Sequence, residues 1–527
     1  MAYGYRRCHR REVEIMWKAV LFLGVFLIIG GKSQECVPRD FGNKKIVCVC
    51  NATYCDETPE RVPKVPADGS FYWYVSTKGG QRLSFAEHKF GECKSSPLAL
   101  LNTVILNLDR TKKYQRILGF GGAFTDSAGI NIKKLSNASQ EQLIRSYFGK
   151  GGSRYSMGRL PIGGTDFSTR VYTYDDKKDD VTLKSFSLAP EDYDYKIPYL
   201  KKALELQPDL KLFASAWSPP PWMKTNDKIN GFGFLKKGYY SLYVDYLLKF
   251  LQSYKANGIP VWGLSTGNEP INAYIPFDRL NTMGWTSETL ADWIGNFLGP
   301  KLAASNFNDT LILALDDQRV FLPWFIQKVF DNSKAKQYTA GIAVHFYADF
   351  LSPPSVLTDT HNDFPDKLIL MTEACTGVGP FVKHVDLGQW NRGEKYIMSI
   401  MDYMNNWASS WFDWNLVLDE TGGPNWIHNN VDAPIIVNAT SDEFYKQPMY
   451  YALKHFSRFV ERGSSKISID DDILVRATAF VTPSNETVVI LYNRLDFSKN
   501  VVIKEANKED LCLELPPKSM STIIYGH

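Results

Sequence analysis

Two acidic side chains frame the chemistry open to this sequence. Glu269 stands in Ser265-Thr266-Gly267-Asn268-Glu269-Pro270 and Glu373 in Met371-Thr372-Glu373-Ala374-Cys375, each at the end of a short apolar run. Two carboxyls can divide labour when one is held protonated and the other ionised: the first protonates a leaving oxygen while the second attacks or activates water. That is the scheme of glycosidic bond cleavage. The gap decides the outcome, because carboxyls ~5–5.5 Å apart work through a covalent glycosyl-enzyme whereas ~6.5–9.5 Å leaves room for water. Taken singly, either glutamate reads equally well as a salt-bridge partner or a loop cap; the matched placement of the two points to catalysis. Pro270 disfavours helical geometry in the residue before it, so Glu269 is expected to be extended.

The placement depends on the elements around it. Between residues 117 and 418, apolar runs at 117–124, 157–164, 210–219, 261–268, 311–316, 341–347, 367–373 and 409–418 alternate with amphipathic stretches. Helices are predicted at SQEQLIRSYF (139–148), at YYSLYVDYLLKFLQSYKANG (239–258) with its stopping Asn-Gly, and at TSETLADWIGNFLGPKLAAS (286–305) with its Thr/Ser cap. Eight strand–helix units imply a parallel sheet closed into a (β/α)8 TIM barrel, with an open doubly wound sheet as the alternative. The fourth and seventh strands lie roughly 135° apart around such a ring, so inward glutamates at their carboxyl ends face one another across the mouth. GFGG at 119–122 lacks the full dinucleotide glycine spacing and reads as a tight strand-to-loop turn. Flanking segments at 71–76, 103–109, 473–481, 486–493 and 521–526 are β-branched and aromatic, predicting one discontinuous β-sandwich built from both ends of the chain. The expected organisation is a leader at 1–33, a small β segment at 34–60 joined by part of 416–447, a sandwich from 61–110 plus 464–527, and a barrel at 111–463.

Composition narrows the function classes. Apolar residues make up 44% of the 527, charged residues 22% and aromatics 14%, which suits a globular chain and not a disordered or coiled-coil one. Arg6, Arg7, Arg10, Arg11 and Lys18 precede an apolar run from Ala19 to Ile29, with small residues to Ser33, the pattern of a secretory signal; the run is too short to span a bilayer. Cleavage near Ser33 takes the formal net charge from +3 to −1. With no basic strip, nucleic acid is not an expected partner, and no HExxH or P-loop occurs. Cys36, Cys48, Cys50 and Cys55 read as two disulfides in an oxidising lumen, with zinc the alternative, while Cys93, Cys375 and Cys512 are an odd set that cannot all pair. Asn51, Asn137, Asn308, Asn438 and Asn485 head Asn-x-Ser/Thr sites open to glycosylation. No cofactor or metal is called for.

These segments, together with GGTDFSTRVYTYDD (163–176), ASAWSPPPWMKTN (214–226), HFY (345–347), DWNL (413–416) and GGPNW (422–426), resemble glycoside hydrolase family 30, and within it the glucosylceramidases, over nearly the whole mature chain. The resemblance implies a retaining β-glucosidase acting on glucosylceramide, with Glu269 as acid/base and Glu373 as nucleophile. It places Asp166, Trp217, Asn268 and Trp414 against the glucose, with His345 and Tyr347 beside them. It also implies a lysosomal address, a saposin-type activator and anionic lipids. Residue chemistry is compatible: Asp166 accepts from sugar hydroxyls, the Asn268 amide donates, and indoles offer apolar walls. Arg159, His345 and Tyr347 are candidates to hold the nucleophile ionised, and Cys375 reads as a buried, unreactive thiol. Thr165, where mammalian relatives have cysteine, and HFY, where they have His-Trp-Tyr, depart from the pattern. Tyr274-Ile275-Pro276-Phe277 and Phe350-Leu351-Ser352-Pro353-Pro354 supply apolar loops for peripheral membrane contact. Alternatives are a related glycanase cleaving xylan or β-1,6-glucan, and a glycolipid-binding protein without activity.

Overall fold

A computed structural model of the chain describes residues 34–93, 102–275 and 279–527. The expected leader at 1–33 and the loop residues Pro276 and Phe277 lie outside these. The eight apolar runs become β1 (Gly119–Ala123), β2 (Met157–Ile162), β3 (Lys211–Ala216), β4 (Gly263–Ser265), β5 (Leu311–Gln318), β6 (Thr339–His345), β7 (Leu368–Glu373) and β8 (Ser410–Asn415). They close into a parallel barrel in chain order. Both faces of each strand are covered, which is why the strands read as continuous apolar runs.

Inside the barrel, Met157, Phe213, Leu313, Ala343, Leu370 and Phe412 form an apolar layer. Side chains two residues further along a strand point the same way, one level higher. That step brings Arg159, Ser215, His345, Thr372 and Trp414 into a second layer, so the interior turns from apolar to polar within one strand repeat. Two register shifts complete it. Pairing of β5 with β6 passes from Leu315↔Ala343 to Asp317↔Val344, skipping Asp316, and pairing of β6 with β7 skips Thr372. Leu315 and Asp316 carry φ of 78° and 54°, the irregular backbone of a bulge that re-aims a side chain.

Helices cover the barrel where they were predicted, at Asn137–Phe148, Tyr240–Ala256 and Ser287–Trp293; the last continues through a π turn at Ile294–Leu298 to Gly299–Ala303. Thr286 and Thr289 form its capping box. GFGG is not a strand-to-loop turn: it lies inside β1. The missing side chains let neighbouring strands approach, since a Cβ on Gly121 would sit 2.1 Å from the Met157 carbonyl oxygen.

A nine-stranded sheet runs Leu511–Leu515, Lys499–Glu505, Thr103–Arg116, Ser465–Ile469, Val475–Val481, Thr487–Asn493, Ser519–Tyr525, Ser70–Thr77, Ser84–Lys89. Strands from both wings bury side chains in one core, among them Leu106, Leu491, Ile503, Leu513 and Ile523, so the sheet folds over itself as a sandwich. The alternate residues Val488, Ile490 and Tyr492 join the core shared with the barrel. Five of the nine strands were anticipated; Ser84–Lys89, Ser465–Ile469, Lys499–Glu505 and Leu511–Leu515 were not.

A small five-stranded sheet joins Pro38–Asp40 and Ile46–Asn51 to Glu443–Lys446, Ile435–Asn438 and Val417–Asp419. It is stapled by Cys36–Cys48 and Cys50–Cys55, and sulfurs bonded to one another offer no thiolate to zinc. A third disulfide, Cys93–Cys512, resolves the odd set and leaves Cys375 free and buried. Among the described residues no helix is long and apolar enough to cross a membrane.

Gly121→Ala is expected to destabilise the barrel by about 1–3 kcal/mol or more, since the new methyl meets backbone rather than a movable side chain. Gly238→Ala, where a Cβ meets nothing within 4 Å, is the neutral comparison. Equal thermal midpoints for the two variants would contradict the close packing of β1 on β2.

Candidate active site

The second barrel layer is a buried ion network centred on Asp316. Its two oxygens accept from Arg159 Nη2 (3.0 Å), Ser215 Oγ (2.8 Å), Ser265 Oγ (2.7 Å), His345 Nε2 (3.0 Å) and Thr372 Oγ1 (2.7 Å). Burial alone would raise the carboxyl, but the Arg159 charge and the donated bonds outweigh it and hold Asp316 well below the usual carboxylate range. Burial opposes the charge on His345 too. The facing carboxylates, Glu373 first, overcome this and lift the imidazole to about 10, so both ring nitrogens carry protons.

The two cations reach upward to the paired glutamates. Arg159 Nη1 and the Tyr347 hydroxyl (2.8 Å) donate to Glu373. Glu269 accepts from His345 Nδ1 (2.8 Å), Gln318 Nε2 (2.7 Å) and Asn272 Nδ2 (2.7 Å). His345 was expected to support Glu373; it bonds Glu269 and Asp316 instead, because β6 aims its ring between them. Oxygens of Glu269 and Glu373 lie within 4.8 Å of one another. Glu269, His345 and Glu373 could be taken for a cation site at that spacing. Both ring nitrogens of His345 are engaged by carboxylates, Nδ1 by Glu269 and Nε2 by Asp316, the pattern of an ion-pair network.

Glu269 is not extended. It adopts φ 42° and ψ 59°, a left-handed conformation held by its N–H donating to the Asp316 carbonyl (2.9 Å) and its own carbonyl accepting from Asn272 N (3.0 Å). The proline excludes the right-handed helix, and these two bonds select left-handed over extended backbone, strain of the kind that gathers at functional sites. Burial pushes Glu269 up, but the His345 bond and charge, Asn272 and Arg159 bring it below its ordinary value. Burial also raises Glu373, with Arg159 and His345 offsetting only part.

Above the carboxyls lies a cavity of about 230 Å³ bordered by Asp166, Trp217, Asn268, Tyr347, Trp414 and Asn429. The Trp217 and Trp414 rings stack 5.1 Å apart, with the Arg159 guanidinium 5.0 and 5.4 Å from their centres. Asn268 accepts from Arg159 Nη2 through Oδ1 (2.7 Å), which turns its NH₂ toward the cavity as a donor. Burial and the Glu373 charge raise Asp166 to about 7, against the Asn429 Nδ2 bond (3.1 Å) that favours the anion, so in acid it is a neutral carboxyl able to donate and accept. Thr165 caps the Phe167 N–H (2.9 Å) beneath it. His345 is fully buried and borders no part of this cavity. Cys375 does, but burial keeps its thiol protonated.

Several residues here escaped the sequence reading, among them Asp316, Gln318, Asn272 and Asn429. Asp316 carried a visible signal, since the fifth apolar run ends on it just as the fourth and seventh end near glutamates. Gln318 and Asn429 carried none, being single amides, one at the end of β5 and one in a loop, whose arrival at the site only the fold reveals.

Comparison with known proteins agrees with this arrangement. Residues 117–460 match the glycosyl hydrolase family 30 TIM-barrel domain and residues 463–523 the family's beta sandwich domain. Fold and paired carboxyls thus define a glycoside hydrolase. The chain belongs to glycoside hydrolase family 30. It is 41% identical over 524 residues to putative glucosylceramidase 3 of Caenorhabditis elegans, covering 97% of this chain and 99% of the relative. It is 38% identical over 501 residues to lysosomal acid glucosylceramidase of Mus musculus, covering 94% and 96%. Among solved structures, SrfJ from Salmonella typhimurium superposes with a TM-score of 0.80 at 27% identity, covering 87% of this chain and all of SrfJ.

Asp316→Asn is expected to cost about 3–5 kcal/mol of stability, because Arg159 and His345 lose their common counter-charge. A carboxyl depressed in the folded state stabilises above its unfolded value of about 4 and loses that contribution as pH falls further. The gap from wild type in urea unfolding should therefore be full at about pH 6 and shrink below about 4. An unchanged midpoint at about pH 6 would remove Asp316 from the centre of the network.

Proposed function

We propose that this protein is a retaining β-glucosidase that hydrolyses glucosylceramide to glucose and ceramide. The observation that carries the reading is the spacing of Glu269 and Glu373: oxygens within 4.8 Å suit the ~5–5.5 Å of a double displacement and fall short of the ~6.5–9.5 Å that an inverting pair needs to seat its attacking water across the sugar. Glu373 attacks the anomeric carbon while Glu269 protonates the departing oxygen. Glu269, now a base, then draws a proton from water that releases glucose from Glu373. Attack requires the proton on Glu269 and an ionised Glu373. Positive charge developing at the anomeric carbon favours ionised Glu373, which keeps Arg159 and Tyr347 as donors. Asp166 and the Asn268 amide engage the sugar hydroxyls, and the stacked indoles wall the ring.

The leaving-group side supports a lipid. Leu280 and Val378 border the cavity there, and the loops after β4, β6 and β7 present Tyr274 and Ile275, Phe350 (83% exposed) and Leu351, and Phe381 (99% exposed). Exposed apolar residues on loops that all leave the same end of the barrel suit an aglycone that stays in a bilayer better than a further sugar of xylan or β-1,6-glucan. The likeness to an enzyme named lysosomal supports a lysosomal address reached through the secretory pathway; the exposed apolar loops favour peripheral membrane contact, and anionic lipids and a saposin-type activator are the helpers proposed with it. Asn137, Asn308 and Asn485 are exposed and are the proposed glycan carriers; Asn51 and Asn438 are half-buried, their side chains bonded to Thr53 and Tyr445.

Glu373→Gln should lower hydrolysis of an aryl β-glucoside at least about a thousandfold. Proton NMR of the wild-type reaction should show β-glucose as the first product. α-Glucose appearing first would exclude the double displacement, and undiminished hydrolysis by the variant would exclude Glu373 as nucleophile. Activity should be bell-shaped in pH, highest where the pair holds one proton, and a flat profile between about pH 4 and 8 would contradict the shared proton.

A further inference from the structure

The acid/base reading of Glu269 leaves open which of its oxygens bears the proton, and one side chain outside the expected site decides it. Gln318 is the last residue of β5, just past the bulge that turns Asp316 inward. Its Oε1 accepts from the Ala348 backbone N–H (3.0 Å), and its Nε2 donates to Glu269 Oε1 (2.7 Å). A backbone N–H is only ever a donor, so the amide oxygen must face Ala348 and the NH₂ must face the glutamate. Glu269 Oε1 therefore meets one obligate donor, the Gln318 amide, beside His345 Nδ1 (2.8 Å), which donates whenever it carries a proton. A proton on that oxygen would point at one of them. Among the described residues Oε2 accepts from the Asn272 amide alone (2.7 Å), whose oxygen can replace its nitrogen by rotation.

We propose that Gln318 is a positioning residue that keeps Glu269 Oε1 an acceptor, confines the transferable proton to Oε2, and ties that carboxyl to the turn after β6. The tie is mechanical. Arg319, the next residue, donates to the Ser352 (2.7 Å) and Asp349 (3.0 Å) carbonyls and pairs with the Asp349 carboxylate (3.1 Å). Residues 318 and 319 thus clamp both sides of a turn whose tip is exposed Phe350 and Leu351. A displacement of that apolar tip passes through Ala348 and one amide to the proton donor. The inference rests on the acid/base reading of Glu269.

The test compares kcat/KM, which reports formation of the glycosyl-enzyme, on dinitrophenyl β-glucoside, whose leaving group needs no proton, and on phenyl β-glucoside, whose leaving group does. Gln318→Met removes a donor to the carboxylate, so Glu269 holds its proton more tightly and the alkaline limb should move up by about half a unit to one unit. Phenyl glucoside turnover should fall about tenfold or more, and dinitrophenyl turnover by less than about threefold. Gln318→Glu keeps the acceptor for Ala348 but sets a second carboxyl against Oε1, so its limb should move further. Equal losses on both substrates with unmoved limbs, or a lowered thermal midpoint as the sole change, would overturn the proposal. Glu269→Gln run alongside separates the failures: if it too loses both substrates equally, the acid assignment falls, and if it spares only the dinitrophenyl substrate, Gln318 alone is refuted.

Discussion

Everything at the mouth of this barrel hangs on one buried carboxylate compensating two buried cations. Arg159 and His345 have no exposure to water, and an isolated charge in such a place costs several kcal/mol. Asp316 takes up one bond from each, with three hydroxyls filling its remaining lone pairs. Fully satisfied networks of this kind are rigid, and rigidity is what the reaction proposed here needs, since each cation presents its other face to one of the glutamates. The network keeps two carboxylates close despite their repulsion and gives them different surroundings, a guanidinium and a phenol for Glu373, an imidazolium and two amides for Glu269.

The network in turn needs irregular backbone on a regular floor. The apolar layer of Met157, Phe213, Leu313, Ala343, Leu370 and Phe412 fixes the barrel's cross-section, strand periodicity lifts Arg159 and His345 to the level above, and Trp414 stands at a slip of β8 against β1. Asp316 and Glu373 arrive there only because β5 and β7 each slip by one residue against β6. The positive φ values of Leu315, Asp316 and Glu269 mark where the strands depart from ordinary geometry. Strain is thus confined to the residues that shape the site, while the surrounding helices and apolar layer hold it in place.

That division explains what could be read from sequence. The barrel strands are apolar on both faces and separated by helices, so all eight stood out, and with them the glutamates at two strand ends. The strands that escaped notice, such as Ser465–Ile469 and Lys499–Glu505, are short and mix lysine and serine with valine and isoleucine; Lys466 and Lys499 are themselves buried, which breaks the apolar pattern without a solvent-facing side to explain it. Bulges have no signature in a single sequence, which hid the inward turn of Asp316 and made His345 look like a partner of Glu373. The left-handed Glu269 was hidden for another reason. Proline reports which conformation its predecessor avoids, and the choice among the rest is made by Asp316 and Asn272, whose nearness is a property of the closed ring.

The interleaving of the sandwich has a consequence for how the chain is made. Thr103–Arg116 pairs with Ser465–Ile469 and Lys499–Glu505, and Ser70–Thr77 pairs with Ser519–Tyr525. A ribosome adding about 5–20 residues per second delivers the later partners tens of seconds after the earlier strands emerge. During that interval the nascent chain carries unpaired, aromatic-rich edges with nothing of its own to cover them, and only the last stretch translated can close them. Truncation or delay near the carboxyl terminus would therefore injure the oldest part of the molecule first, and quality control during biogenesis would sense the two ends of the chain as one unit.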